Sequence, residues 1–172
     1  MPTYLKRFTV KKSISTLFSL LLLPASAFAG GSAVVNWADP ANYKDVRASG
    51  GSQEKFQART FAQLAGTIQT LADTLPEGQK LEMTVSDLDL AGEVQFSGAR
   101  TQYQDLRVVK EMYPAKITFH YRLLDASGRV LEEGDEKLLS RWMGASTRTG
   151  SSESLEIEKR MLGNWFKRSI VK

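Results

Sequence analysis

The chain has 172 residues, 23 Lys and Arg against 19 Asp and Glu, and no cysteine. Without cysteine it can form neither disulfides nor thiolate metal centres. Four of the basic residues and none of the acidic ones fall in the first 29 positions, so residues 30–172 carry 19 of each sign and lack the concentrated basic footprint that nucleic-acid binding needs.

Lys6, Arg7, Lys11 and Lys12 precede an apolar run from Ile14 to Leu23, which Pro24 ends. A run of ten residues is too short to span a bilayer core. Ala27-Phe28-Ala29 supplies an A-x-A cleavage site. This pattern predicts a secretory signal peptide over residues 1–29, cleaved to leave a single domain over 30–172 with no stable membrane anchor. The expected location is the periplasm or the exterior.

Ala33 to Trp37 reads as a short strand, and Asp39-Pro40-Ala41-Asn42 as a turn in which Pro fixes φ. Ser52 suits the N-cap of a helix over Gln53 to Leu75, where Phe61, Leu64, Ile68, Leu71 and Leu75 form one apolar stripe. Leu75-Pro76-Glu77-Gly78 reads as a turn with Pro second and Gly fourth. Leu81, Met83 and Val85 then alternate as one face of a strand. Beyond Asp87 the apolar parity passes to Leu88 and Leu90, which predicts a bulge or strand end near Ser86-Asp87.

Ser97 to Gln104 reads as a polar loop and Asp105 to Met112 as a further strand, ended by Pro114. Lys116 to Leu124 carries the clearest alternation, with Ile117, Phe119, Tyr121 and Leu123 on one side and Thr118, His120 and Arg122 on the other. Asp125-Ala126-Ser127-Gly128 is a type I-like turn into a hairpin partner over Arg129 to Leu139. Gly134 is the expected bulge there, and Glu132, Glu133, Asp135 and Glu136 mark an edge strand protected by charge. Gly144 to Ser154 is small and polar. A last helix is expected over Glu153 to Ile170, with Leu155, Met161, Leu162, Trp165, Phe166 and Ile170 inward. Its acidic residues lie early and its basic ones late, as the helix dipole favours. The predicted fold is α+β: a two-layer sandwich with a mainly antiparallel sheet of four to five strands and two helices packed on one face.

Several blocks carry a family resemblance. They are Val35-Asn36-Trp37 with Asp39-Pro40, Tyr43 and Asp45-Val46-Arg47, Leu75-Pro76-Glu77-Gly78-Gln79, and Val85 to Val94 (VSDLDLAGEV). Arg107-Val108-Val109-Lys110, Tyr121 to Asp125 with Gly128, and Glu158 to Leu162 with Trp165-Phe166 complete them. Together they resemble the secreted bacterial family known as domain of unknown function 3016, over essentially all of residues 30–172. Ile157 departs from the aromatic expected before Glu158-Lys159. The resemblance implies an exported envelope domain and assigns no activity and no catalytic residue.

Asp87, Asp89 and Glu93, with Gly92 between them, are the candidate constellation for a hard cation, which takes several oxygen ligands. Their spacing falls short of an EF-hand loop, and carboxylates at a solvated strand end that accept backbone N–H groups are the plainer alternative. His120 is the single histidine, so no multi-His site can form. No nucleophile elbow, P-loop or dinucleotide fingerprint occurs, and no cofactor is predicted. Trp165 and Phe166 are expected in the core, whereas the Trp142-Met143 pair is the candidate anchor for a protein partner. The expected function is a non-enzymatic binding or accessory module of the cell envelope that docks to an envelope protein. The docking surface would be the sheet edge at Arg129 to Leu139 or a groove near Trp142. The alternatives are a metal- or carboxylate-dependent hydrolase at Asp87, Asp89 and Glu93, with or without His120, and a small-molecule binder with a pocket between helices and sheet.

Overall fold

A computed structural model describes residues 30–95, 106–110, 112–140 and 155–171. The expected leader, the polar loop at 97–104, the stretch from Gly144 to Ser154 and the Trp142-Met143 pair lie outside the described residues.

In chain order the elements are β1 (Ser32–Trp37), a turn of 3-10 helix (Pro40–Asn42), α1 (Gln53–Ala72), β2 (Lys80–Asp89), β3 (Glu93–Gln95), β4 (Leu106–Val108), β5 (Lys116–Leu124), β6 (Val130–Leu139) and α2 (Glu156–Ser169). The main sheet runs β1-β2-β5-β6. β1 lies parallel to β2, with α1 as the connection, and the other pairs are antiparallel. The strand expected within 105–112 contracts to β4 and pairs with β3 in a separate two-stranded ribbon. The architecture is the expected α+β, with the main sheet at four strands.

The core forms where alternation in the sheet meets the helical stripes. β2 buries Leu81, Met83 and Val85, and β5 buries Ile117, Phe119, Tyr121 and Leu123. The partners Val85↔Phe119 and Asp87↔Thr118 leave Ser86 as an extra residue, so the bulge falls where the parity change placed it. It returns Leu88 to the core side opposite Ile117 and turns Asp87 and Asp89 outward. The helices cover this one face, while Thr84 and His120 on the opposite face are exposed. Trp165 of α2 sits against Phe119 (4.8 Å between ring centroids) and Tyr121 (5.1 Å), both edge-on. Burying a side chain of this size contributes on the order of 2–3 kcal/mol.

Ser52 caps α1 as expected, its Oγ accepting the Lys55 N–H at 3.2 Å. The buried stripe of α1 is nevertheless Phe56, Thr60, Leu64, Ile68 and Ala72. Phe61 and Leu71 flank it, because β1 lies to that side and Trp37 stacks on Phe61 at 4.4 Å. The helix stops at Ala72, three residues early, and the turn closes one residue later than expected. Gln79 N–H donates to the Pro76 carbonyl, and Gly78 takes the third position with φ of 80°, a backbone open mainly to glycine. In β6 the extra residue is Leu131 rather than Gly134: Leu123 pairs with Glu132 and Leu124 with Val130. Gly134 stays in register opposite Tyr121, whose ring a Cβ would approach to 3.2 Å. Helix α2 begins at Glu156, after Leu155 in the left-handed region.

Candidate functional site

The bulge in β2 delivers the acidic stretch to one end of the sheet and gives its three carboxylates different surroundings. Asp87 is taken by Lys116 across the strand pair, with Oδ2 2.6 Å from Nζ, and this contact raises the lysine's pKa. Glu93 is hydrogen-bonded with the Tyr113 hydroxyl, which pushes that phenol up. Asp89 has neither a hydrogen bond nor an ion pair among the described residues. Burial, and then the nearby Asp45 carboxylate, push Asp89 above the usual carboxylate range. Among the described residues no group of three or more His, Cys, Asp or Glu could hold one metal ion. Gly92 serves the backbone there: its φ is 85°, and a Cβ would stand 2.6 Å from the Val108 carbonyl oxygen.

Behind this end of the sheet lies a polar clamp. Arg107 on β4 is 7% exposed. Its guanidinium donates to Asp45 Oδ2 at 2.6 Å and to the carbonyls of Asp45 (2.8 Å) and Arg47 (3.1 Å) in the β1–α1 loop. It also reaches the Ala91 and Gly92 carbonyls at 3.4 and 3.3 Å. Asp45 meets it from a left-handed backbone, φ 51°, a conformation that Asp adopts more readily than most residues. On the far side of the same turn Glu158 of α2, 3% exposed, accepts the Ala91 N–H at 2.8 Å. Burial raises the Glu158 pKa, against the smaller opposing effects of its backbone hydrogen bonds and of Arg107. Tyr43 completes the frame. Its hydroxyl donates to the Val85 carbonyl at 2.8 Å, and burial, followed by Asp87 and Asp39, pushes it up to about 12.

The clamp sets the walls of a cleft of about 490 Å³, open to solvent. Lys44, Arg47, Asp89 and Glu93 are among its lining residues, and Met112 and Leu139 present exposed apolar surface. The volume lies within the range of roughly 300–1,000 Å³ usual for small-molecule sites.

His120 lies on the outer face of the sheet and is not among the residues lining the cleft; its Nδ1 is 3.0 Å from Asp135 on β6. Neither it nor Asp135 belongs to the acidic stretch. Trp165 and Phe166 are both in the core, as expected. β6 is an edge of the sheet, and along it Leu138 alone is buried. The other edge strand, β1, is partly covered: its Ala33 N–H donates to Gln69 Oε1 of α1.

Reading the residues did not single out Arg107, Glu158, Lys44 or Arg47 for the site. A signal existed for two of them. Arg107 stands between apolar Leu106 and Val108 in a strand, and Glu158 falls on the Leu155–Leu162–Trp165 stripe of α2 at helical spacing.

A family model described as "Protein of unknown function (DUF3016)" matches residues 31–168. No curated protein matches the sequence. Among solved structures, a crystal structure of a Xanthomonas campestris protein under the family model DUF330 is similar over 87% of this chain and 89% of that one, at 12% identity and a TM-score of 0.38. A likeness that loose carries no argument about function.

Proposed function

The chain belongs to the DUF3016 family of proteins of unknown function, and from that premise we propose that it is a non-enzymatic binding module of the cell envelope that docks an extended, basic segment of a partner protein along the β6 edge. The observation that carries the reading is the open edge itself. β6 offers ten residues, Val130–Leu139, at the end of the sheet order; six of them are exposed, and among the described residues no strand pairs with the outer side. A strand in that position presents unpaired N–H and C=O groups that an added strand can complete.

Charge selects the occupant. Glu132, Glu133, Asp135 and Glu136 stand against Lys137 alone. Two such strands repel one another, which disfavours pairing between copies, whereas a strand bearing Lys or Arg meets opposite charge. Export is supported by the basic, apolar and A-x-A succession of residues 1–29. Among the described residues no helix is long and apolar enough to cross a membrane.

The test is capture from envelope extract under crosslinking, with the native protein and an E133K/D135K variant side by side. Both side chains face solvent, so the variant keeps the fold, which its melting temperature checks. The native protein is expected to capture a partner that the variant loses. A partner held equally by both removes the edge from the reading, and no captured partner removes the binding module.

A further inference from the structure

The β6 edge carries acidic residues on both of its faces, and the helix-side face has a gap in it. Glu132, Gly134 and Glu136 alternate onto that side, opposite Leu123, Tyr121 and Phe119 of β5. The three β5 residues are buried, whereas the three on β6 are only half-buried. Gly134 has no side chain, and Tyr121 lies against the space one would fill. A Cβ on Gly134 would stand 3.2 Å from Tyr121 Cε1 and 3.5 Å from its hydroxyl oxygen. That hydroxyl donates to Glu132 Oε1 at 3.2 Å. Burial first, then the Glu132 carboxylate and more weakly Glu136, push the phenol above its ordinary range. Both carboxylates are thus close enough to act on one hydroxyl. They come from either side of Gly134 along the strand, with each Cα about 7 Å from the glycine's.

From this we infer that the strand docked on β6 carries an arginine opposite Gly134, turned to the helix side, with its guanidinium at the Tyr121 hydroxyl between Glu132 and Glu136. The inference rests on strand addition at β6 and names the residue that sets its register. In a paired strand, the residue opposite Gly134 points to the same face as the side chain that glycine lacks. It therefore meets no side chain directly across, and its diagonal neighbours are the two glutamates. An acidic residue there is repelled, and an apolar one leaves both carboxylates without a countercharge. Arginine suits the position better than lysine. Its planar group has five N–H donors for two carboxylates and a phenol oxygen, and it is more weakly hydrated than an ammonium, so it enters a half-buried site at lower cost. A slip of one residue would turn the arginine to the solvent face, so this contact also fixes which face of the partner strand meets the helices.

The experiment is a binding titration with three synthetic peptides of alternating Lys and Val, in which one central Val is replaced by Arg, Lys or Met. Amide hydrogen exchange along β6 is followed in parallel. All three peptides are expected to protect β6. The Arg peptide should bind about tenfold more tightly than the Met peptide, the gain of one charge-assisted contact, and the Lys peptide should fall between them. E132Q/E136Q should abolish the preference for Arg and leave the affinity for the Met peptide within about twofold. Gly134→Val places a side chain against the Tyr121 ring and should give the same loss, so the test survives if E132Q/E136Q fails to fold. Equal affinities with β6 protected, a Lys peptide as tight as the Arg peptide, or a preference that persists in both variants would overturn the arginine anchor and leave the edge standing. Exchange along β6 that no peptide changes would remove the edge and the anchor together.

Discussion

Replacing Glu158 separates two roles that a buried carboxylate can play. Its Oε1 accepts the Ala91 N–H at 2.8 Å, and the side chain is almost wholly shielded from water. Glu158→Ala leaves that N–H without an acceptor, which costs about 1–3 kcal/mol, and removes packing atoms besides. We expect a loss of about 2–3 kcal/mol, or roughly 8–12 °C in melting temperature for a domain of this size. Glu158→Gln keeps an acceptor oxygen but carries no charge to desolvate. Because burial raises the folded-state pKa of Glu158, its carboxyl holds a proton more tightly in the folded protein than in the unfolded chain. That contribution is complete below the ordinary carboxyl pKa and is lost as pH rises through that value to the folded one. The difference in melting temperature between Glu158→Gln and the native protein should therefore grow in favour of the variant between about pH 4 and pH 8. Differential scanning calorimetry of both variants and the native protein across that range reads this directly. If Glu158→Gln falls as far as Glu158→Ala, or if the native protein gains on it as pH rises, the ionised carboxylate is a net stabiliser and the reasoning fails.

Three further outcomes follow from the same geometry. Arg107→Met leaves Asp45 without its cation and five contacts unmade, so urea unfolding should show a loss of about 3–5 kcal/mol. Arg107→Lys should recover only part of this, since an ammonium cannot reproduce the planar fork. Gly92→Ala places a Cβ 2.6 Å from the Val108 carbonyl oxygen at a positive φ, and should lower stability by about 1–3 kcal/mol, where a tolerant loop position would show no change in melting temperature. Asp125 accepts hydrogen bonds from the Ser127 hydroxyl and from the backbone N–H groups of Arg129 and Ser127, with Arg129 Nε close by. These contacts lower its pKa to about 2. Its stabilising contribution is thus present above the ordinary carboxyl value and lost as pH falls toward 2. A carboxyl NMR titration with its midpoint at the unperturbed aspartate value would show that the turn does not hold it.

Much of the fold could be read from local rules. The period-two pattern of Lys116 to Leu124 gave both the strand and its inward face, and the parity change at Ser86 gave the bulge, because both depend on neighbouring residues alone. The α1 stripe was legible in part: Leu64, Ile68 and Leu75 are buried as expected, but Phe61 and Leu71 only flank the core while Phe56, Thr60 and Ala72 are buried. Which side of an amphipathic helix faces the core depends on where β1 lies, and pairing through Trp37 and Phe61 is not a local property. Gly134 in β6 suggested a bulge that in fact falls at Leu131, since the residue left over is decided by the hairpin turn at Asp125–Gly128. The acidic stretch stood out in the sequence, but its division into a paired Asp87, a hydrogen-bonded Glu93 and an Asp89 without a partner among the described residues depends on Lys116, Tyr113 and Asp45 arriving from other elements. The Arg107 clamp joins residues 62 positions apart, beyond the reach of periodicity or spacing.

The most direct test of the docking role is amide hydrogen exchange along β6, with and without a synthetic peptide of alternating Lys and Val. If β6 adds a strand, the outward amides of Val130–Leu139 should become protected, the protection should weaken as salt rises, and E133K/D135K should abolish it. Unchanged exchange along β6 at saturating peptide, or equal protection by a peptide of alternating Glu and Val, would contradict a basic strand as the occupant of this edge.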